Sequence, residues 1–307
     1  MKFLNTENKI NKKLILLLPI LSGACWGFGG VFVRTLSSFG FNSPSILSTR
    51  AIGATIILFI LLAIFDRKTL KIQLKDLWLF IGAGVFGSLL LNLCYNEAAL
   101  NLSLSLASLL LGLAPIFALV ISAIFFKEKI TTKKIICLII ALFGCLLVSG
   151  LLESSGFSWS AYGISFGLLS AFFWSLYGLF SKMASNKGYS TFTIIFYSFL
   201  MISIALAPFT QWDLFATFLT TNSHLSIPFA ILHSVFTSIL PYLLFSLALT
   251  KTENGIATIL CSGAEPTSAT IFGALIFAEI PSVLNLIGIF ITIFALSMLI
   301  KLSDDLN

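Results

Sequence analysis

Charged residues are scarce in this sequence, and their scarcity limits the class of protein that it can encode. Of 307 residues, only 10% are Asp, Glu, Lys or Arg, whereas 58% are hydrophobic. A soluble globular protein carries about 25% charged residues, so this chain has too few to cover a surface that faces water. The same composition excludes a disordered chain, which is poor in apolar residues and rich in charge.

Cysteine and histidine are also rare, at five and two residues. The cysteines lie in apolar runs without any C-x-x-C pair, so we expect free buried thiols instead of disulfides. We predict no metal site and no cofactor. Because the sequence has no G-x-x-x-x-G-K-[ST] loop, it is not expected to hydrolyse nucleotides.

Long apolar runs are abundant. A helix that crosses the hydrocarbon core needs about 20 mostly apolar residues, and ten such runs are present. They cover approximately 14–34, 44–65, 77–98, 103–126, 134–151, 160–181, 190–210, 227–249, 256–278 and 283–301. Because they do not alternate in polarity as barrel strands do, we predict an all-α integral membrane protein with ten transmembrane helices.

The basic residues indicate how the chain is oriented. The two tails and the even-numbered connections hold 16 of the 18 Lys and Arg residues, and such residues mark cytoplasmic loops. Both termini are therefore predicted to be cytoplasmic, with residues 1–13 as the N-terminal tail of a protein in the cell membrane. The net charge of +6 belongs to these segments, so the expected partners are the lipid bilayer and a small-molecule substrate, not a nucleic acid. No oligomeric state is predicted.

The chain contains an internal repeat. Segment 26–34 resembles 174–182, and segment 114–128 resembles 265–279, at shifts of 148 and 151 residues. The predicted halves are 14–152 and 159–301, with five helices each. An odd number of spans starts the second copy on the opposite side of the membrane, so the two five-helix repeats are inverted. Inverted repeats are common in secondary transporters, which bind substrate near the midplane between the halves.

These residues resemble the drug/metabolite transporter superfamily, EamA type. The motifs that carry the resemblance are Trp26-Gly27, Arg50, Tyr95-x-x-Ala98-x-Leu100, Ala114-Pro115 with Phe126-Lys127-Glu128, and Glu265-Pro266 with Phe277-Ala278-Glu279. Two glycines that the family usually has are replaced by small residues, Cys137 and Ala295. The resemblance implies ten helices, transport without ATP and a cavity lined by helices 1, 3, 4, 6, 8 and 9.

We therefore predict a secondary transporter that moves small metabolites, such as amino acids or related organic solutes or drugs, by alternating access. Glu265 is the leading site residue, because a charge at mid-depth is costly unless it has a partner or a function, and Pro266 is expected to kink its helix. The other cavity candidates are Trp26, Asn92, Tyr95, Asn96, Trp174, Tyr177 and Tyr242. Arg50 and Glu97 either pair as an outer gate, form a structural ion pair or extend separately to the interface.

Two other functions stay open as alternatives. An intramembrane enzyme would need an acid–base or nucleophile set. The segment 163–167 fits G-x-S-x-G, but it lies in an apolar run with no Asp or His near it in the sequence, unlike the strand-to-helix turn in which this motif works. We therefore predict no enzymatic activity. A non-transporting membrane subunit is the second alternative.

Overall fold

The computed structural model describes residues 12–102, 104–149, 151–152, 160–278 and 280–305. The predicted tail at 1–13 lies almost wholly outside these ranges. Within them, every regular element is helical. The elements are α1 (Lys12–Ser38), α2 (Ser43–Phe65), α3 (Leu77–Ile81), a π-helix (Gly82–Leu89), α4 (Leu90–Asn101), α5 (Leu104–Leu111), α6 (Ala114–Phe126), α7 (Thr132–Val148), α8 (Ala161–Asn186), α9 (Thr191–Leu206), α10 (Trp212–Thr221), α11 (Ser223–Ser234), a π-helix (Val235–Ile239), α12 (Leu240–Leu249), α13 (Asn254–Phe277) and α14 (Val283–Asp305).

Nine helical segments of the described residues are long and apolar enough to cross a membrane. They are Leu14–Ser38, Ser43–Phe65, Leu74–Asn101, Ala107–Phe126, Ala161–Asn186, Thr191–Phe209, Ser223–Leu249, Asn254–Ile276 and Val283–Lys301. The remaining predicted span, 134–151, corresponds to α7, which has 17 residues. That length is at the lower limit of about 17–25 residues for a transmembrane helix.

Polar residues determine where several helices begin. The side chains of Asn42, Ser160 and Ser190 accept hydrogen bonds from backbone amides in the first turns of α2, α8 and α9, at 3.0, 3.1 and 3.1 Å. Such caps satisfy amides that have no partner within the helix. The helix boundaries therefore follow local sequence signals.

Two segments contain π-helical turns at corresponding places in the two halves. One joins α3 to α4 and the other joins α11 to α12. A π-helix is rare and frequently marks a functional site. These turns carry Ser88 and Thr237, whose polar atoms meet side chains of the candidate site described below.

The two prolines singled out in the sequence behave differently. Pro115 lies in the first turn of α6, after a turn at Gly112 and Leu113, where a proline is tolerated because its missing amide would have no helical partner. Pro266 lies inside α13, which is helical from Asn254 to Phe277. The expected kink does not interrupt this helix.

Most of the extensive helix–helix contacts join the first half of the chain to the second. Helix α1 packs on α13 and α12, α8 packs on α6 and α4, α7 packs on α14, and α2 packs on α9. The largest buried cluster includes Ala54, Leu58, Tyr177 and Phe199. Long apolar side chains remain exposed on the outside, for example on α14, where Phe290 is 74% exposed. Such a surface is unsuited to water and is suited to lipid.

A short extra helix covers one end of the bundle. Leu214, Phe215 and Phe218 of α10 pack against Leu36 and Phe41 at the end of α1 and the start of α2. The opposite end carries Lys182, Lys251 and the lysines of the α6–α7 connection, and we call it the lysine-rich end.

Candidate functional site

An aromatic cluster joins the two halves of the chain at the centre of the bundle. Trp26 of α1 meets Trp174 of α8 edge to face, with ring centroids 4.8 Å apart, and meets Tyr242 of α12 at 5.1 Å. Tyr177 stacks on Trp174 at 5.7 Å, and Phe245 lies 5.2 Å from Trp174. We call these five residues the aromatic cluster. Edge-to-face contacts of this kind stabilise beyond simple burial.

The hydroxyl groups of the cluster are paired with serines. Tyr242 shares a 2.6 Å hydrogen bond with Ser88, and Tyr177 shares a 2.8 Å hydrogen bond with Ser246. Both tyrosines are buried, and burying a hydroxyl without a partner would be costly. The serines thus fix the orientation of the two rings.

A polar group lies next to the aromatic cluster, about two turns from the start of α2. The Arg50 guanidinium donates to the Asn92 side-chain oxygen at 3.1 Å and to the Thr237 carbonyl at 3.3 Å. The indole nitrogen of Trp26 donates to the same carbonyl at 3.3 Å. Arg50, Asn92 and Trp26 are each only partly buried, whereas the other four residues of the aromatic cluster are buried.

Glu265 adds a negative charge to this region. It lies in the middle of α13 and is half-buried, and its backbone carbonyl lies against Gly27 of α1, the residue after Trp26. In the described part of the chain, no residue forms a hydrogen bond or an ion pair with the Glu265 side chain. Because no group in the described residues pairs with this carboxylate, its oxygens stay available as acceptors for a ligand.

The predicted residues of α4 are spread along the helix. Tyr95 shares a 2.9 Å hydrogen bond with Ser108 of α5, whereas Asn96 and Glu97 are half-buried. Among the described residues no ion pair joins Arg50 to Glu97, because the guanidinium is engaged by Asn92 and Thr237. The outer-gate role of Arg50 and Glu97 stays a prediction, as does the cavity-lining role of Asn96.

An ion pair joins the two halves at the lysine-rich end. Lys182 at the end of α8 donates to the Glu128 carboxylate at 2.5 Å and to the Thr252 carbonyl at 3.2 Å. The Lys182 ammonium also lies 5.0 Å from the centre of the Phe126 ring. The two charged side chains are only 15% and 10% exposed, so the pair is largely shielded from water.

Asn254 connects this ion pair to the helices beneath it. Its backbone amide donates to the Glu128 carboxylate at 3.3 Å, and its side chain donates to Ser122 of α6 at 3.1 Å. Asn254 is fully buried, and only glycine at position 178 leaves room for its side-chain oxygen. A second ion pair, between Lys134 and Glu253, joins the start of α7 to the same connection.

Sequence reasoning missed these contacts. Glu128 reads as a helix-end charge, because its partner lies 54 residues away and nothing local indicates burial. The internal repeat does contain a signal, because each residue ends one of the repeated segments. Lys182 is the basic residue that ends segment 174–182, and Glu128 is the acidic residue that ends segment 114–128. Ser88, Ser246 and Thr237 carry no sequence signal, because serine and threonine are common in transmembrane helices.

Comparison with known proteins identifies the class. The family model described as the EamA-like transporter family matches residues 13–150 and 161–301. The chain therefore belongs to the EamA-like transporter family, and it is a multi-pass membrane protein. The predicted family and its transmembrane character are confirmed. The family is one of transporters, in line with the prediction of a non-enzyme.

The relatives are mostly transporters without an assigned substrate. An uncharacterized transporter of Archaeoglobus fulgidus is 31% identical over 198 residues, which cover 64% of this chain and 67% of that protein. The riboflavin transporter ImpX of Fusobacterium nucleatum is 30% identical over 169 residues, which cover 54% of each chain. One crystal structure superposes with a TM-score of 0.75 at 15% identity and covers 95% of this chain and 98% of its own, which indicates a shared fold.

Proposed function

We propose that this protein is a secondary carrier that moves a small organic metabolite across the cell membrane by alternating access. The observation that carries the proposal is the polar group around Arg50 and Glu265, which lies half-buried among apolar helices from both halves of the chain. A charge in the hydrocarbon region costs roughly 2.5–3.5 kcal/mol or more. Two such side chains in the membrane-spanning helices of one protein support a binding site.

The proposed architecture is ten helices in two inverted repeats, with α7 as the tenth span. Three features support it. Corresponding helices make equivalent contacts: the first helix of each repeat packs on the fourth span of the other repeat, so that α1 packs on α13 and α8 packs on α6. The π-helices occupy corresponding places. Lys127 and Ala278, which are 151 positions apart, both adopt the left-handed backbone conformation, with φ of 56° and 54°, and each follows the last residue of its helix.

We place both termini and the lysine-rich end in the cytoplasm, because basic residues favour that side. In this orientation the inner end is closed by the Lys182–Glu128 and Lys134–Glu253 ion pairs, with the aromatic cluster between them and the polar group. Arg50 and Glu265 are then reached from the outer side. Exchanging the arrangements of two inverted repeats converts an outward-open carrier into an inward-open one.

In the proposed mechanism, Arg50 binds a negatively charged group of the substrate and Glu265 binds a positively charged one. Trp26 provides a partly exposed aromatic face. Amino acids and related organic solutes or drugs have such groups. Riboflavin is a further compound to test, because of the transporter ImpX. Transport is driven by the substrate gradient or by protons that Glu265 binds.

The proposal is tested by screening metabolites for thermal stabilisation of the purified protein and then measuring flux of the hits in proteoliposomes. We expect Glu265→Gln to lower flux or abolish its pH dependence, whereas Asp213→Asn, an equal charge change at an exposed position of α10, has a smaller effect. If Glu265→Gln leaves both properties unchanged, the coupling role is wrong. Absence of flux for every stabilising compound would favour the non-transporting subunit.

A further inference from the structure

A polar cavity lies at the lysine-rich end of the bundle, away from the proposed transport path. Its volume is about 350 Å³, which falls in the range of about 300–1,000 Å³ for small-ligand pockets. Its polar side chains are Lys71 and Gln73 from the α2–α3 connection, Asp76, and Lys187 and Tyr189 from the α8–α9 connection. Elements of both halves therefore build this cavity.

The acidic residue of the cavity is already neutralised. Lys187 donates to one oxygen of Asp76 at 2.5 Å, and the Tyr189 hydroxyl donates to the other at 2.8 Å. Asp76 is buried, whereas the Lys187 side chain is 44% exposed and Lys71 is exposed. Lys71 forms no ion pair within the described residues. The accessible charge of the cavity is therefore positive, which suits an anion.

The connection that carries Lys71 is held in place by hydrogen bonds. Thr193 donates to the Thr69 carbonyl at 2.8 Å, and the Tyr197 hydroxyl donates to the Leu70 carbonyl at 2.7 Å. The Gln73 amide donates to the Tyr189 hydroxyl at 3.1 Å. A ligand that binds here does not have to order the connection, so little conformational entropy is lost on binding.

An apolar rim adjoins the cavity. Leu74 is 84% exposed and Trp78 is 46% exposed, and the Lys187 ammonium lies 5.9 Å from the Trp78 ring. Tryptophan gathers at membrane interfaces, so this rim lies where the head groups meet the hydrocarbon. A soluble anion would use the cavity alone, whereas a lipid would use both the cavity and the rim.

We propose that this cavity binds the phosphate head group of an anionic phospholipid, with the acyl chains against Leu74 and Trp78. Basic pockets at the membrane surface bind such head groups, and each nearby lysine contributes about a fivefold change in affinity. The proposal does not depend on what the carrier transports.

Native mass spectrometry of the full-length protein in detergent tests the proposal, with phosphatidylglycerol compared with phosphatidylcholine. We expect preferential binding of phosphatidylglycerol, and about fivefold weaker binding by Lys71→Gln. Lys251→Gln removes an exposed lysine at the same end and serves as the matched control with unchanged binding. Equal binding of the two lipids, or an equal loss in both variants, overturns the proposal.

Two further measurements separate a lipid site from a site for soluble anions. Leu74→Ser is expected to weaken phosphatidylglycerol binding, and millimolar inorganic phosphate is expected to leave the bound lipid in place. If phosphate displaces the lipid and Leu74→Ser binds like the wild type, the cavity is a soluble-anion site and the lipid proposal is wrong. Thermal unfolding of each variant confirms that it is folded.

Discussion

Replacing Glu128 with glutamine tests whether its ion pair with Lys182 keeps the lysine-rich end closed. Both side chains are mostly buried, at 10% and 15% exposure, so water screens their attraction less than it would at a surface. Glutamine retains an acceptor oxygen for Lys182 and for the Asn254 amide. The substitution therefore removes the negative charge while the packing stays nearly the same.

The expected effect follows from the hydrogen bonds that involve this carboxylate. A hydrogen bond to a charged group contributes about 1.5–3 kcal/mol, and one between neutral groups contributes about 0.5–1.5 kcal/mol. Glu128→Gln makes only the Asn254 amide bond one between neutral groups, because Lys182 stays charged, but it also removes the ionic attraction between the two side chains. Together these losses should destabilise the closed arrangement by about 1–2 kcal/mol, while the open arrangement, in which the pair is separated, is unaffected. This difference shifts the equilibrium about 5- to 30-fold toward the open form.

Cysteine labelling measures this shift. In a background without native cysteines, Ser181→Cys introduces a reporter at a position that is 1% exposed and hydrogen-bonded to Ser246 at 3.2 Å. A membrane-impermeant maleimide applied from the cytoplasmic side should label the Glu128→Gln variant about 5–30 times faster. Asp213→Asn, at an exposed position of α10, is the control for loss of a negative charge elsewhere. An unchanged rate in folded Glu128→Gln, or an equal increase with Asp213→Asn, would refute the gating role.

Three other substitutions test the packing and the site. Gly27→Ala places a methyl group 2.6 Å from a carbonyl of α13, so we expect the free energy of unfolding to fall by about 1–3 kcal/mol. Gly30→Ala is the control, because a methyl group there meets nothing within 4 Å and should not destabilise the protein. Equal effects of the two variants on thermal unfolding would contradict close α1–α13 packing. Tyr242→Phe removes the 2.6 Å bond to Ser88 and should cost about 0.5–1.5 kcal/mol, and an unchanged unfolding midpoint would show that this bond is not stabilising. Arg50→Lys keeps the charge but loses the planar donor group. A substrate that has been identified by flux should therefore bind this variant about 10–100 times more weakly in a thermal-shift titration. Wild-type affinity would exclude recognition of the substrate by the guanidinium.

The sequence predicted the helical membrane fold well, because the relevant signal is local. Scarce charge and long apolar runs are properties of each segment, and so are caps such as Asn42. The predicted span at 134–151 corresponds to α7, which at 17 residues is short for a transmembrane helix.

The site was predicted less completely, because side-chain burial depends on tertiary contacts. Trp26, Trp174, Tyr177 and Tyr242 do come together, yet Trp174 and the two tyrosines are buried in packed contact with other rings. Their lining of an open cavity stays a prediction. The burial of Glu128 depends on helices that are distant in sequence, and no periodic pattern encodes that arrangement.

The helix α10 has a consequence for the proposed transport cycle. It adds a layer of phenylalanine contacts at one end of the bundle, while the other end is held by ion pairs. Opening the first end separates apolar surfaces, and opening the second separates charges. The two directions of opening therefore respond differently to salt. Excluded salts strengthen the apolar contacts of the first end, whereas ion pairs that are shielded from water are screened much less than exposed ones. Excluded salts such as sulfate should thus hold the α10 end of the empty carrier closed.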